Sequence, residues 1–165
     1  MVSFVTAPAK LELGDYLPYL TNRVGMIVAE QFADDALAAH GLSIVMWRVM
    51  AVLASKGSQR QIDLADLTSI EVSTLSRLVS RLVRKGLVTR TRSANSNREV
   101  TVKLGPKGLS LVSHLIPIAL DFEAAAIAGL SAKDIAVLKR CLRRMYGNMK
   151  NRAAAADNRG RGTSS

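Results

Sequence analysis

The chain has 165 residues, 48% of them hydrophobic but only 4% aromatic, with a formal charge of +10 and a pI near 10.4. That length suits one domain with a real core packed mainly by Leu, Val, Ile and Ala, and the charge favours a polyanionic partner, nucleic acid or an anionic membrane. The single cysteine, Cys141, excludes an internal disulfide. No uninterrupted apolar run of about 18 residues marks a membrane span, and the opening MVSFVTAPAKLELGD lacks the basic start and apolar core of a signal peptide, so a cytoplasmic protein is expected.

The charge is segregated. Residues 1–47 carry two basic and five acidic side chains, whereas residues 48–107 carry twelve and four; a second basic excess lies beyond residue 133. In chain order, residues 1–14 read as an irregular arm. Asp15 is positioned to cap a helix that tolerates Pro18 in its first turn. Leu17, Leu20, Val24, Ile27, Val28 and Phe32 recur at helical spacing, and that helix reaches about Ala39 before stopping at His40-Gly41. Ser43 caps a second helix, Ile44 to about Ser55. A short helix, Gln61 to Leu67, a turn at Thr68-Ser69, and a longer helix, Glu71 to Lys85, follow. Gly86 ends the last of these. Two strands, Leu87 to Arg92 and Arg98 to Leu104, flank a loop of turn formers, with Val100, Val102 and Leu104 alternating inward. A helix from about Lys107 to Ala128 carries Pro117. The last, capped by Ser131 with Asp134 three residues on, ends near Met149, and a polar, small-residue tail is expected to be disordered.

The Glu71–Lys85 helix carries the chemistry. Leu75, Leu78, Val79 and Leu82 fall on one arc about 100° wide. Opposite lie Ser73, Arg77, Ser80 and Arg84, flanked by Thr74, Ser76 and Arg81, and no acid follows Glu71. A solvated helix face ordinarily mixes Glu with Lys for i,i+4 pairs; this one has only Arg and hydroxyls. Small hydroxyl residues let a backbone approach a groove floor, Arg takes guanine O6 and N7 at two points, and the helix N-terminus favours phosphate. The hairpin adds Arg90, Arg92 and Arg98, suited to a backbone or minor-groove contact; basic residues also protect edge strands, which is the plainer account of them.

The segments LSIVMWRVMAVLASKG, LADLTSIEVSTLSRLVSRLVRKGLV and REVTVKLGPKG, in that order over Leu42–Gly108, resemble a MarR-family winged-helix regulator. The family's wing pattern, Asp-x-Arg, five residues, Leu-Thr-x-x-Gly, is met at Arg98, Leu104 and Gly108, but Ser96 stands at the Asp and Gly105 at the Thr. Asn95 or Asn97 is left to steady Arg98 in place of the carboxylate. The resemblance implies a mainly α fold with a small β-hairpin, a winged helix-turn-helix flanked by N- and C-terminal dimerisation helices. The regions are then an arm over 1–14, a helical dimerisation region over 15–40 and 106–150, a DNA-binding region over 42–105, and a disordered basic tail over 152–165. It also implies a homodimer on a pseudo-palindromic operator in double-stranded DNA, acting as a repressor released by a small ligand. The apolar residues Leu11, Leu13, Leu17 and Leu20 at one end and Ile135, Leu138, Cys141, Leu142 and Met145 at the other fit such a dimer, or complete a single core.

Tyr16, Tyr19, Arg23 and Met26 share an arc of about 80° on the first helix, with Trp47 and Met50 as a second wall. Two phenol rings about a guanidinium suit an aromatic acid or its thioester. Packing at a dimer interface, with Arg23 reaching to water, accounts for the same residues more simply. Cys141 shares a face with Leu138, Leu142 and Met145 and is expected to be buried and structural. His40 ends a helix and His114 has neither a Cys nor a second His beside it, so no metal site or cofactor is expected. No nucleophile–base pairing or phosphate-binding glycine loop is visible, which argues against an enzyme. A non-specific nucleic-acid-binding or chromosome-packaging protein is the alternative to a sequence-specific regulator.

Overall fold

The computed structural model describes residues 10–93 and 96–161, apart from the side chains at 92–99 and 156–161. Two compact units divide the chain, Met1–Glu123 and Ala124–Ser165. The first holds α1 (Leu17–Phe32), α2 (Ile44–Lys56), β1 (Gln59–Arg60), α3 (Gln61–Thr68), α4 (Val72–Arg84), β2 (Val88–Ser93), β3 (Ser96–Leu104) and most of α5 (Pro106–Ala126); α6 (Ala132–Arg161) dominates the second. The fold is mostly helical with one small antiparallel sheet, as the sequence pattern predicts.

The helix punctuation follows local chemistry. Ser43 Oγ accepts from the Met46 amide at 3.4 Å. Gly41 takes φ 58°, a left-handed turn that lets the Leu42 amide donate back to the Leu37 carbonyl at 3.2 Å. Ser131 and Asp134 form the reciprocal capping box: the Asp134 amide donates to Ser131 Oγ at 3.1 Å and the Ser131 amide to the Asp134 carboxylate at 3.2 Å.

Several boundaries differ from expectation. Asp15 does not cap α1; it ends a 3-10 turn, Leu13–Asp15, and Tyr16 occupies the cap position without a side-chain bond. The first helix does not run unbroken to Ala39, because a π turn, Ala33–Leu37, and a 3-10 turn, Ala38–His40, follow Phe32. The sheet has three strands, in the order β1-β3-β2: Gln59 and Arg60 pair with Val102 and Thr101, too short a run for any alternation to announce it. The last helix does not stop near Met149 but continues to Arg161, because Ala153–Ala156 are the strongest helix formers available.

The core lies between α2, α3, α4, the sheet and one face of α5. Leu37, Met46, Val49, Met50, Leu64, Leu75, Val79, Leu82, Val102 and Leu115 are wholly buried. Phe32 pins the end of α1 there, its ring meeting Trp47 edge-on at 5.4 Å and Phe122 at 5.6 Å. N-terminal to Phe32, α1 presents its apolar stripe to solvent: Leu17 is 58% exposed and Ile27 54%.

Helix α5 corrects a second expectation. Its mean hydropathy of 1.4 over a membrane-length window makes it long and apolar enough to cross a bilayer by length and composition. Ser110, Ser113 and His114 break the uninterrupted run without lowering that mean enough. Val112 and Leu115 bury into the core of the first unit, which is how the helix is used here; Leu109 and Leu120 are exposed.

Where α5 leaves the sheet, the backbones approach closely. The Gly105 amide donates to the Leu87 carbonyl at 3.0 Å, and a Cβ on Gly108 would lie 1.9 Å from that same oxygen. Only glycine fits at 108. Gly108→Ala is expected to destabilise the protein by about 1–3 kcal/mol or more, since the obstacle is backbone, read as a lower urea midpoint with an unchanged slope.

Candidate nucleic-acid interface

Helices α3 and α4 form the helix-turn-helix. Thr68 ends α3 almost fully buried, its hydroxyl satisfied by the Leu64 carbonyl at 2.6 Å. Ser69 then takes the left-handed conformation, φ 55°, so that the Ile70 amide donates to the Ala65 carbonyl at 3.0 Å and the chain turns sharply into α4. Leu75, Leu78, Val79 and Leu82 are all buried. With that face sealed, Ser73, Thr74, Arg77, Arg81 and Arg84 stand exposed along the other side, while Ser76 and Ser80 are half-buried at its margins.

Two hydroxyls are already engaged. Ser80 Oγ donates to the Ser76 carbonyl at 2.9 Å, and Ser73 Oγ donates to the Glu71 carboxylate. Each keeps acceptor lone pairs but has committed its proton. The arginines therefore carry the outward positive charge of this face, and the Ser80 hydroxyl is bonded back to its own helix.

Glu71 is the residue whose role the sequence pattern missed. It is the N-cap of α4, its carboxylate accepting from the Thr74 amide at 3.0 Å as well as from Ser73. These hydrogen bonds, the Ser73 hydroxyl foremost, hold its pKa down at about 2 from an ordinary 4.5. The expectation that this helix N-terminus attracts a phosphate is weakened accordingly: an internal carboxylate already takes the Thr74 amide and places a negative charge at the terminus. The signal was the spacing Glu71-x-Ser73-Thr74, a cap with its donors in place.

In the wing, Arg90 is exposed on β2 and pairs across the ladder with Val102, on the same side of the sheet as Val88 and Leu104. The side chains of Arg92 and Arg98, and of Ser96 and Asn97, lie outside the described residues, as does Asn95 altogether. Arg60, at the start of α3, is paired with Asp63 at two points, 2.6 and 2.9 Å, so its charge is balanced locally. A depression lined by Lys56, Gln59, Asp63, Asp66 and Leu67 is therefore of mixed charge.

The first helix bears a groove of about 430 Å³ whose described lining comes from α1: Leu20, Arg23, Val24, Met26, Ile27 and Glu30. Arg23 and Met26 of the predicted ligand set are there. The Arg23 guanidinium lies over the Tyr19 ring, 5.6 Å from its centre, and Tyr16 is exposed. Met50 does not join them; it is fully buried in the core, because α2 packs against α3 and β3, and Trp47 packs on Phe32.

Two further expectations are corrected. Cys141 is exposed, because the apolar face of α6 that it shares with Leu138 and Leu142 is itself open. His114 does have a second histidine nearby: the turn after α1 brings His40 against it, ring centres 6.3 Å apart. Among the described residues no group of three or more His, Cys, Asp or Glu side chains is arranged to hold a metal.

Residues 42–100 match the MarR family model. The chain is 24% identical over 118 residues to the multiple antibiotic resistance protein MarR of Salmonella typhimurium, spanning 70% of this chain and 81% of that one. Among solved structures, a MarR-family transcriptional regulator from Silicibacter pomeroyi superposes with a TM-score of 0.76 at 27% identity, covering 85% of this chain and 96% of the other. A second from that organism gives 0.74 at 28%, covering 90% and 97%.

The Glu71 cap predicts an acid-sensitive recognition helix. Its folded pKa lies below the unfolded value, so the contribution to stability is complete above about 4.5 and is lost as pH falls toward about 2. In Glu71→Gln that segment of the stability-versus-pH curve should flatten, as followed by thermal unfolding at stepped pH.

Proposed function

We propose that this chain, whose residues 42–100 match the MarR family model, is a homodimeric, sequence-specific DNA-binding repressor of transcription that a small ligand releases. The observation that carries the reading is the outer face of α4, where Arg77, Arg81 and Arg84 stand exposed on a helix held fixed by four buried residues, with no acid beyond the cap. Arg77, midway along this face, is assigned to base edges, where a two-point bond to guanine discriminates sequence. Arg90 is assigned to phosphates.

A second copy accounts for the open apolar stripes. Leu17, Val24 and Ile27 on α1, and Leu138 and Leu142 on α6, are exposed at spacings that make continuous faces, and a soluble chain rarely leaves such faces bare. A two-fold dimer sets two recognition helices on half-sites about one helical turn apart, so the operator is a pseudo-palindrome. Arg77→Ala should then cost about 1–3 kcal/mol on an operator selected by the intact protein and relax base preference. Titrations on operator and random duplex at one salt concentration check this. The intact protein should prefer operator by about a thousandfold or more; a ratio near one points instead to non-specific packaging of nucleic acid.

For the ligand we assign the α1 groove, which shares Val24 and Ile27 with the stripe the second copy covers and so lies at the edge of that dimer contact, with Arg23 pairing to a carboxylate and Tyr19 presenting an aromatic face beside it. An aromatic carboxylate, offered at increasing concentration, should weaken operator binding by the intact protein, and Arg23→Ala should abolish that response while leaving operator affinity without ligand unchanged. Equal responses from both proteins would remove the groove from the account.

A further inference from the structure

The basic excess beyond residue 133 is not absorbed by the winged helix. At 100° per residue, α6 separates into two faces. Ile135, Leu138, Cys141, Leu142, Met145, Tyr146 and Met149 share one arc. Lys133, Lys139, Arg140, Arg143, Arg144 and Lys150 share the other, about 140° wide, and all six cations are exposed. The one acid between 132 and 150, Asp134, lies off this arc and is committed to the Ser131 capping box. Among the described residues, none of Arg140, Arg143 and Arg144 is held in an ion pair.

Such a face is costly as plain solvated surface. Arg140 and Arg144 are a like-charge i,i+4 pair, destabilising a helix by about 0.2–0.5 kcal/mol, and Arg143 lies three residues from Arg140 on the same face. The cations span about 27 Å of straight helix at 1.5 Å per residue, a linear array matched to a polymer of regularly spaced negative charge. Alternation with Glu, which would cancel the field, is absent, just as on α4. Side chains here are long cations without the small hydroxyl residues that let α4 approach a groove floor, so this face suits phosphates and not base edges.

We propose that the cationic face of α6 is a second contact for duplex DNA, holding the phosphate backbone without reading sequence. It rests on the winged-helix reading only in choosing DNA as the polyanion.

The test is the salt dependence of affinity for a random duplex, with the full chain. Arg140, Arg143 and Arg144 are changed together to Gln, a residue of similar helix propensity, and separately to Lys. The Gln variant should bind random duplex more weakly, with a log–log salt slope shallower by about two to three between about 50 and 200 mM; the Lys variant should restore the slope. Arg140→Gln alone should remove about one, which keeps the question answerable if the triple variant folds poorly. The ratio of operator to random affinity should stay unchanged in all of them. An unchanged slope in the Gln variants overturns the proposal. So does an unchanged slope accompanied by lost sedimentation with phosphatidylglycerol vesicles, which would make this a lipid-facing surface. Arg77→Ala serves as the independent control: if it leaves the operator ratio untouched, the reading of α4 fails, whatever the α6 slopes show.

Discussion

The rotation of α4 about its own axis is set by Leu75, Leu78, Val79 and Leu82, and the chemistry of its outer side depends on that setting. A helix carrying three outward arginines is useful only if each points in a fixed direction, and the arginines cannot supply that direction themselves, since their own repulsion favours splaying. The buried face supplies it. Each leucine sealed into the core contributes about 1.5–3 kcal/mol, against a few tenths for each repulsive pair on the surface. The core therefore determines the orientation and the surface follows it. The sharp turn at Ser69 and the buried hydroxyl of Thr68 place α3 against α4, and the close contact at Gly108 seats α5 against the sheet that closes the same core.

The Glu71 cap shows two demands on one helix terminus pulling apart. Binding a polyanion favours leaving the N-terminal amides open, whereas holding a short helix together favours filling them. Here the carboxylate fills that of Thr74 and takes the Ser73 hydroxyl as a second donor. In the proposed reading, attraction to DNA then falls on the side chains of the middle and last turns of α4, while its first turn is anchored internally. Arg77, Arg81 and Arg84 are spaced accordingly.

The recognition helix was legible in the sequence because two independent signals, the apolar arc and the acid-free arc, lie on opposite sides of one 3.6-residue period. The hairpin was legible from alternation at Val100, Val102 and Leu104. Strand β1 was not, since two residues carry no period and pair only because β3 offers a free edge. The engagement of Ser73 and Ser80 was hidden for a different reason: hydroxyl residues on an outer face look alike whether they face solvent or bond their own backbone. Met50 was misplaced because α2 is apolar on most sides, so its pattern does not say which side meets the core. Cys141 was assigned to a buried face on its neighbours alone, and those neighbours are themselves exposed.

That exposure also bears on how a ligand at α1 would act. It can shift an equilibrium only by contacts that differ between two arrangements of the protein. The α1 groove and the recognition helix share no residue, but the first unit connects them through few steps. Phe32 anchors the end of α1 on Trp47 and Phe122, the π turn after it carries Leu37 into the core, and the following turn ends at His40. The His40 carbonyl accepts from Lys85 Nζ at 3.4 Å, and Lys85 is the C-cap of α4. Contiguity of this kind supplies a route and not a coupling energy. What makes the route a physical argument is that α1 leaves its apolar stripe open up to Phe32 and is held in the core from Phe32 onward. A displacement of the open part must be absorbed at the irregular turns between Ala33 and His40, whose far end is bonded to the recognition helix.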